Sequence, residues 1–255
     1  MLTRRAWLFA PLALAAQSTR PRVSILWTTS GIPADFAAQS LVFPRAYTCC
    51  PDRTEAAWAL EHGRFPHAAR ASDSGLWEYF ERGSDLTIMT SDSADGMDSA
   101  FDRSIRVPLA IRWPGRIVPR VANDILLSHA DLLPTILSLA GIKPVSMLQG
   151  RDLSGLIETG VGELPESVYI EGSLGTREEW RAVVRGFEKL TWNLRDEITG
   201  LYNLADDPGE ATNLYEPREQ REHRLMRDSL HALGHQWMER LQDGRDAYGL
   251  RTRRP

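Results

Sequence analysis

The chain is 255 residues long, with 25% charged and 42% hydrophobic residues, which are ordinary proportions for a globular protein. This composition excludes a collagen, a coiled coil and a mostly disordered chain. The net charge of −4 gives no indication of nucleic-acid binding, and the 2 cysteines are too few for a disulfide framework.

Residues 1–16 are predicted to be a signal peptide. A charged start with Arg4 and Arg5 precedes a short apolar run, and Ala13-x-Ala15 has the small residues of a cleavage site. The apolar run is too short to cross a bilayer, and no later segment is long and apolar enough to do so. We therefore expect an exported protein, periplasmic or extracellular, with no membrane span in the mature chain. The paired arginines are compatible with the twin-arginine export route.

Three apolar, β-rich runs predict the central strands of an α/β fold. They lie at residues 23–28, Leu86–Thr90 and residues 107–112, and segments with helical patterns separate them. Such continuous apolar runs are typical of strands that are covered on both faces. We expect them to be neighbours in one mostly parallel sheet, within a core at residues 20–160. The Ser128-His-Ala-Asp131 segment predicts a capped helix start, which makes His129 a structural residue at first reading.

The pattern changes after about residue 160. Short, closely spaced runs at residues 167–170, 180–185, 189–193 and 200–203 predict a small antiparallel sheet. Residues 217–242 have apolar positions at helical spacing and predict an amphipathic helix that packs on this sheet. Residues 161–255 are therefore expected to form a C-terminal subdomain.

The adjacent cysteines Cys49 and Cys50 leave two interpretations open. A disulfide between neighbours has poor geometry, and the chain has no second cysteine pair for a zinc finger. The pair could act as small buried hydrophobic residues. Alternatively, Arg53 lies four residues after Cys49 and could orient or activate a reactive thiol.

The segment Cys49-x-Pro51-x-Arg53 is accompanied by further short motifs in a fixed order. They are Gly63-Arg-Phe-Pro-His67, Thr90-Ser-Asp92, Ser104-Ile-Arg-Val-Pro-Leu109, Ile111-Arg-Trp-Pro-Gly115, Ser128-His-x-Asp-Leu-Leu-Pro-Thr135 and Asp207-Pro-Gly-Glu-x-x-Asn213-Leu214. Together they resemble the sulfatase family of the alkaline-phosphatase-like superfamily. The motifs cover nearly all of the mature chain, so the resemblance implies an alkaline-phosphatase-like α/β fold for the chain.

The resemblance also implies an activity and its cofactors. A formylglycine-generating enzyme would convert Cys49 to formylglycine, whose hydrated aldehyde attacks the sulfur of a sulfate ester. Arg53 would be the second catalytic residue, and Asp92 and the residue at position 49 would be ligands of a divalent cation, usually Ca²⁺. The implied activity is arylsulfatase-type hydrolysis of a small-molecule or saccharide sulfate ester.

The chain departs from the family pattern at several positions. Where the family has two metal-binding aspartates, residues 28–31 read Thr-Thr-Ser-Gly, and Asp92 is followed by a serine. Residues 68–84 replace a long insertion that carries catalytic lysine and histidine residues, and residues 96–103 contain no lysine. Candidate replacement ligands are Asp35, Asp95 and Asp98. Because Ca²⁺ needs about 6–8 oxygen ligands, we expect weak or no calcium binding and at most trace hydrolysis.

Two alternatives follow from these departures. The first is a catalytically inactive sulfatase remnant that binds an anion or a protein partner. The second is a hydrolase of a related phosphate or phosphonate ester, because the superfamily handles both kinds of oxyanion. Cys49, Pro51 and Arg53 favour the sulfatase enzyme, whereas the missing aspartates and lysines favour the remnant.

Overall fold

The computed structural model describes residues 21–69, 75–93, 97–144, 147–215 and 220–241. The predicted signal peptide at residues 1–16 lies outside the described residues. The described helices are α1 (Ala34–Ala37), α2 (Arg53–His62), α3 (Leu76–Tyr79), α4 (Asp102–Ile105), α5 (Leu132–Leu139), α6 (Ser154–Glu158) and α7 (Arg221–Leu241). The described strands are β1 (Val23–Trp27), β2 (Leu41–Val42), β3 (Ala46–Tyr47), β4 (Leu86–Thr90), β5 (Arg106–Val107), β6 (Leu109–Arg112), β7 (Arg120–Val121), β8 (Leu127–Ser128), β9 (Ser167–Gly172), β10 (Trp180–Arg185), β11 (Glu188–Asn193) and β12 (Ile198–Asn203).

The central sheet has the order β1-β4-β6-β2-β7. β1 pairs in parallel with β4 and β2 with β7, whereas β6 is antiparallel to both β4 and β2. Four of these five strands therefore run in the same direction. This confirms the predicted mostly parallel sheet, in which the first three apolar runs are neighbours.

The third apolar run is not one strand, contrary to the prediction for residues 107–112. β5 ends at Val107 and belongs to a separate three-stranded sheet, and β6 begins at Leu109 in the central sheet. Pro108 lies between them. Because proline has no backbone N–H to donate to a ladder, the chain leaves one sheet at this residue and enters the other.

The three-stranded sheet has the order β5-β3-β8 and positions the cysteine segment. β3 pairs in parallel with β8, so Ala46 lies opposite Leu127 and Tyr47 opposite Ser128. Because β3 and β8 are parallel, their carboxyl ends lie at the same end of the sheet. From β3 the chain leads to Cys49, and from β8 it leads through a turn of 3₁₀ helix at His129–Asp131 into α5.

The C-terminal part contains the predicted antiparallel sheet, with the order β12-β11-β10-β9. Its neighbouring strands pair in antiparallel fashion throughout. Helix α7 packs on the sheet through Leu230, Gly234, Trp237 and Leu241, which are buried and recur at helical spacing. This confirms the predicted terminal helix, although residues 217–219 and 242 lie outside the described residues.

None of the described helices combines the length and the apolar character that crossing a bilayer requires. Helix α7 has the length, but charged residues cover its outer face.

Gly150 packs directly against the turn that starts α5. A Cβ atom at this position would lie 1.9 Å from the carbonyl oxygen of Ala130. The N–H groups of Gln149 and Gly150 both donate to the carbonyl oxygen of Gly63, at 2.9 and 3.0 Å. The segment is thereby held between the end of α2 and the start of α5, with no room for a side chain.

We expect Gly150→Ala to lower the free energy of unfolding by about 3 kcal/mol, because the backbone must move to admit the methyl group. Urea unfolding monitored by tryptophan fluorescence measures this change. Gly209→Ala is the matched control, because the nearest atom to its Cβ would be 3.9 Å away, and its effect should stay below about 0.5 kcal/mol. Equal effects of the two substitutions would contradict the close approach at Gly150.

Candidate active site

Cys49 is fixed in the interior from both sides of its loop. The N–H of Thr48 donates to the carbonyl oxygen of Ile105, and the N–H of Glu171 donates to the carbonyl oxygen of Cys49, each at 2.9 Å. The Cys49 side chain is fully buried and belongs to the same apolar cluster as Phe65 and Tyr169. The loop is therefore joined to helix α4 on one side and to strand β9 on the other.

Arg53 is aimed toward Asp92 by the start of helix α2. Asp52 caps this helix, because its Oδ1 accepts hydrogen bonds from the N–H groups of Thr54 and Glu55 at 2.9 and 3.0 Å. Arg53 is the first helical residue, and its Nε lies 3.9 Å from Oδ2 of Asp92. Two of the three predicted site residues are thus brought together at the carboxyl end of β4.

Neither cysteine is activated as a nucleophile in this arrangement. Burial raises the pKa of the Cys49 thiol well above its ordinary value, and the negative charge of Glu171 raises it further. Burial also raises the pKa of Cys50, whose Sγ donates a hydrogen bond to Oε2 of Glu55 at 2.8 Å. Because the thiolate is the reactive form, burial and the raised pKa values lower the reactivity of both thiols in the folded chain.

Glu171 is a buried acidic residue that the sequence analysis did not identify. Its Oε1 accepts a hydrogen bond from the N–H of His67 at 3.0 Å, and its Oε2 lies 2.6 Å from Nδ1 of the same histidine. The Glu171 backbone also holds Cys49, so a single residue connects the cysteine loop to the Gly63–His67 motif. The sequence does indicate that Glu171 is unusual, because it is a carboxylate within the buried, largely apolar strand β9, Ser-Val-Tyr-Ile-Glu-Gly.

His129 is structural, as predicted. It is completely buried, with its Nε2 lying 3.0 Å from Oγ1 of Thr90 and its ring edge-on to Trp27. Burial lowers the pKa of His129 to about 3, so the ring is neutral at physiological pH. The histidine joins the end of β4 to the turn after β8, which brings the carboxyl ends of the two sheets together. The predicted capping of this turn is present in part, because Oδ2 of Asp131 accepts the N–H of Ser128 at 2.9 Å.

The described residues around Asp92 do not fit a calcium ion. Thr28 uses its hydroxyl locally, donating to the Gly31 carbonyl oxygen at 2.8 Å and accepting from the Ser30 N–H at 3.2 Å. Gly31 has a φ of 86°, a backbone conformation that glycine adopts more readily than residues with a Cβ atom. The Asp98 carboxylate accepts the N–H and hydroxyl hydrogen bonds of Ser173 at 3.0 and 3.1 Å.

Of the other candidate replacements, Asp35 lies in helix α1, and Asp95 lies outside the described residues. Within the described ranges, the group of three metal-ligating side chains that lies within ligand distance does not include Asp92. A calcium site needs about 6–8 oxygen atoms, and a single carboxylate paired with an arginine does not provide them.

One cavity of the described structure lies away from these residues. It has a volume of about 440 Å³ and is lined by the segment before β9 and by helix α7, including Arg151, Glu163 and Arg240. None of Cys49, Arg53 and Asp92 contributes to its wall. The cysteine loop is thus placed in the apolar interior between the sheets, and this cavity does not provide a route to it.

More than half of the chain matches a known family model. Residues 98–236 match the model described as N-sulphoglucosamine sulphohydrolase, C-terminal. This match includes β6, the α5 region and the complete antiparallel sheet.

Curated relatives and a solved structure agree with this match. Arylsulfatase A of Bos taurus is 42% identical over 146 residues, covering 47% of this chain and 28% of the relative. An endo-4-O-sulfatase of Bacteroides thetaiotaomicron is 32% identical over 98 residues, covering 36% of this chain and 19% of the relative. The matched part of the chain therefore spans 19% to 28% of the length of these relatives.

The fold resembles that of BT4656, solved in complex with its substrate D-glucosamine-2-N,6-O-disulfate. The TM-score is 0.54 at 20% sequence identity, over 64% of this chain and 35% of that one. At this identity the similarity concerns the fold.

Both thiols of the folded chain should resist a thiol reagent at pH 8, because they are buried and their pKa values are raised. We expect reaction with Ellman's reagent to be at least about a hundredfold slower than in denaturant, since it requires local opening of the structure. Cys49→Ala and Cys50→Ala should each leave one thiol that reacts after denaturation. Rapid labelling of either thiol in the folded wild type would contradict the described loop.

His129 should make the protein less stable as the pH falls below 6.5. The unfolded histidine gains a proton there, whereas the folded one remains neutral until about pH 3. The loss of stability caused by His129 is therefore absent above the unfolded pKa. Below it, the free energy of unfolding falls by about 1.4 kcal/mol per pH unit.

Urea unfolding at pH 7 and pH 5 measures this effect. His129→Gln should lose less stability between the two pH values than wild type, by about 2 kcal/mol. His223→Gln, which changes a histidine on a different element, helix α7, is the control and should behave as wild type. An unchanged pH dependence in His129→Gln would disprove the assignment.

Proposed function

The chain belongs to the sulfatase family, and on that premise we propose that it is a sulfuric ester hydrolase whose nucleophile derives from Cys49. The observation that supports this most directly is the 3.9 Å approach of Arg53 Nε to Asp92 Oδ2. It joins the Cys49-x-Pro51-x-Arg53 loop to the carboxylate that follows β4, the two parts of the chain that match the family's reaction centre. The proposed substrate is a small-molecule or saccharide sulfate ester, which is consistent with the disulfated glucosamine bound by BT4656.

The residues of the proposed centre have distinct roles. Formylglycine at position 49 supplies a hydrated aldehyde whose hydroxyl can attack sulfur. Arg53 presents a planar cation to the sulfate oxygens, because its side chain is 83% exposed and free to receive an anion. Asp92, with a side chain that is 26% exposed, orients the guanidinium from the protein side. Glu171 positions the loop through its backbone N–H group and does not contact the sulfate.

We propose that conversion of Cys49 precedes folding. The side chain is completely buried and its loop is hydrogen-bonded on both sides, so a modifying enzyme needs the segment in an unfolded state. We also propose that the chain is then exported from the cytoplasm to the periplasm or the cell exterior. The proposed route is the twin-arginine route. It is supported by the charged and apolar pattern of residues 1–16.

We propose that turnover by the chain is at trace level. The carboxylates that would hold a hard cation are replaced by the Thr28–Gly31 turn, and the Asp98 carboxylate is occupied by Ser173. Metal activation of a nucleophile contributes several kcal/mol of transition-state stabilisation, and each 1.4 kcal/mol is about tenfold in rate. A centre without that cation is therefore expected to turn over a few orders of magnitude more slowly than a complete site.

Expression with a formylglycine-generating enzyme tests the proposal. Peptide mass spectrometry should find a fraction of residue 49 as formylglycine, and hydrolysis of a chromogenic aryl sulfate should be detectable but slow. Cys49→Ala should abolish both signals. Cys50→Ala is the matched control, because it changes the adjacent, equally buried cysteine and leaves the modification motif intact.

Two outcomes would contradict the proposal. The first is the absence of formylglycine in a host that converts a control sulfatase. The second is hydrolysis that persists in Cys49→Ala. Fast turnover that depends on Cys49 would instead overturn the proposed trace rate, since it would require a cation site that the described residues do not form.

A further inference from the structure

Three metal-ligating side chains converge between helix α7 and the β11–β12 turn, remote in sequence from the cysteine loop. Oδ1 of Asp196 lies 2.8 Å from Nε2 of His231 and 3.1 Å from Nε2 of His235. The two Nε2 atoms are 3.3 Å apart. All three ligand atoms thus lie within 4.8 Å of one another, on side chains from two different elements.

The local fold explains why these side chains meet. His231 and His235 are four residues apart on α7 and therefore lie one above the other on the same helix face. Gly234 lies between them in sequence, and a Cβ there would be 2.5 Å from Cη2 of Trp192. The absence of that side chain lets α7 approach β11 closely. Asp196 sits in the turn after β11 with a φ of 63°, a conformation that aspartate tolerates.

The geometry points to a binding site for a divalent transition-metal ion of the zinc class. Zinc bonds of about 2.0–2.1 Å in a tetrahedron place neighbouring ligand atoms roughly 3.3 Å apart. The observed separations of 2.8, 3.1 and 3.3 Å are close to this edge length, so little movement is needed to admit an ion.

The donor set selects the class of metal. Two imidazole nitrogens and one carboxylate suit Zn²⁺ and its first-row neighbours, whereas Ca²⁺ prefers a shell of oxygen atoms. Both histidines direct Nε2 toward the Asp196 carboxylate, His231 toward Oδ1 and His235 toward both oxygens, at 3.1 and 3.2 Å. If each Nε2 carries a proton, two N–H groups converge at 3.3 Å and repel each other. A bound cation replaces these protons and accepts both lone pairs.

Such an ion would fasten the C-terminal helix to the antiparallel sheet. The side chains of Asp196 and His231 are each 26% exposed, and that of His235 is 43% exposed, so water can occupy the fourth coordination position. Three ligands from two elements restrain α7 against the β11–β12 turn. Metal binding should therefore increase the stability of the folded chain without any role for Cys49.

Calorimetric titration of the untagged, chelator-treated full chain with zinc chloride tests the site. We expect one zinc ion per chain, and no comparable binding of calcium chloride. At a free zinc concentration about a hundred times the Kd, the Tm should rise by about 5 °C or more.

The variants are chosen to keep the fold intact. Asp196→Asn removes the carboxylate but retains a side chain that tolerates the same backbone conformation. His235→Gln removes a ligand at a side chain that is nearly half exposed. Each should weaken zinc binding at least about tenfold and abolish the rise in Tm. His223→Gln, on the same helix outside the cluster, and Cys49→Ala should bind zinc as the wild type does.

The proposal is overturned if the wild type binds no zinc. It is equally overturned if Asp196→Asn and His235→Gln bind zinc like the wild type, or if His223→Gln or Cys49→Ala weakens binding as much as they do. These readouts involve no hydrolysis, so they are independent of the sulfatase proposal.

Discussion

The hydrogen bonds on either side of Cys49 are the constraint on which the proposed reaction centre depends. The N–H of Thr48 donates to Ile105 and the N–H of Glu171 donates to Cys49, so the loop joins helix α4 to strand β9, which are formed by distant parts of the sequence. This fixed loop starts α2 in a direction that brings Arg53 to Asp92. It also buries the thiol, which is why we propose that modification of Cys49 precedes folding.

The architecture could be predicted largely because apolar runs and turns are local signals. Residues 180–185 were predicted as a strand with the bounds that the structure shows, and the helix before Gly141 was anticipated from its capping segment. The exchange of sheets at Pro108 was missed because a continuous apolar run does not show where hydrogen-bonding partners change. A proline inside that run was the relevant local signal.

The candidate site was less predictable. The linear motif indicated Cys49 and Arg53, whereas Glu171 lies more than a hundred residues away and acquires its role only through the pairing of β9 with the loop. The group of Asp196, His231 and His235 was unpredictable for the same reason. The spacing of the two histidines on α7 does not show that Asp196, in the turn after β11, lies beside them. In both cases the contact is tertiary, because local sequence patterns do not show which distant residue a side chain meets in the fold.

The central claim is the proposal that the chain keeps the sulfatase loop while its described residues around Asp92 form no hard-cation site. A crystal structure of the formylglycine-containing protein, grown with calcium chloride, tests this claim most directly. The account predicts that residue 49 remains in the interior, with the N–H of Glu171 still bonded to its carbonyl oxygen, and that no cation binds beside Asp92. An ordered calcium ion coordinated by Asp92 and residue 49 would contradict it.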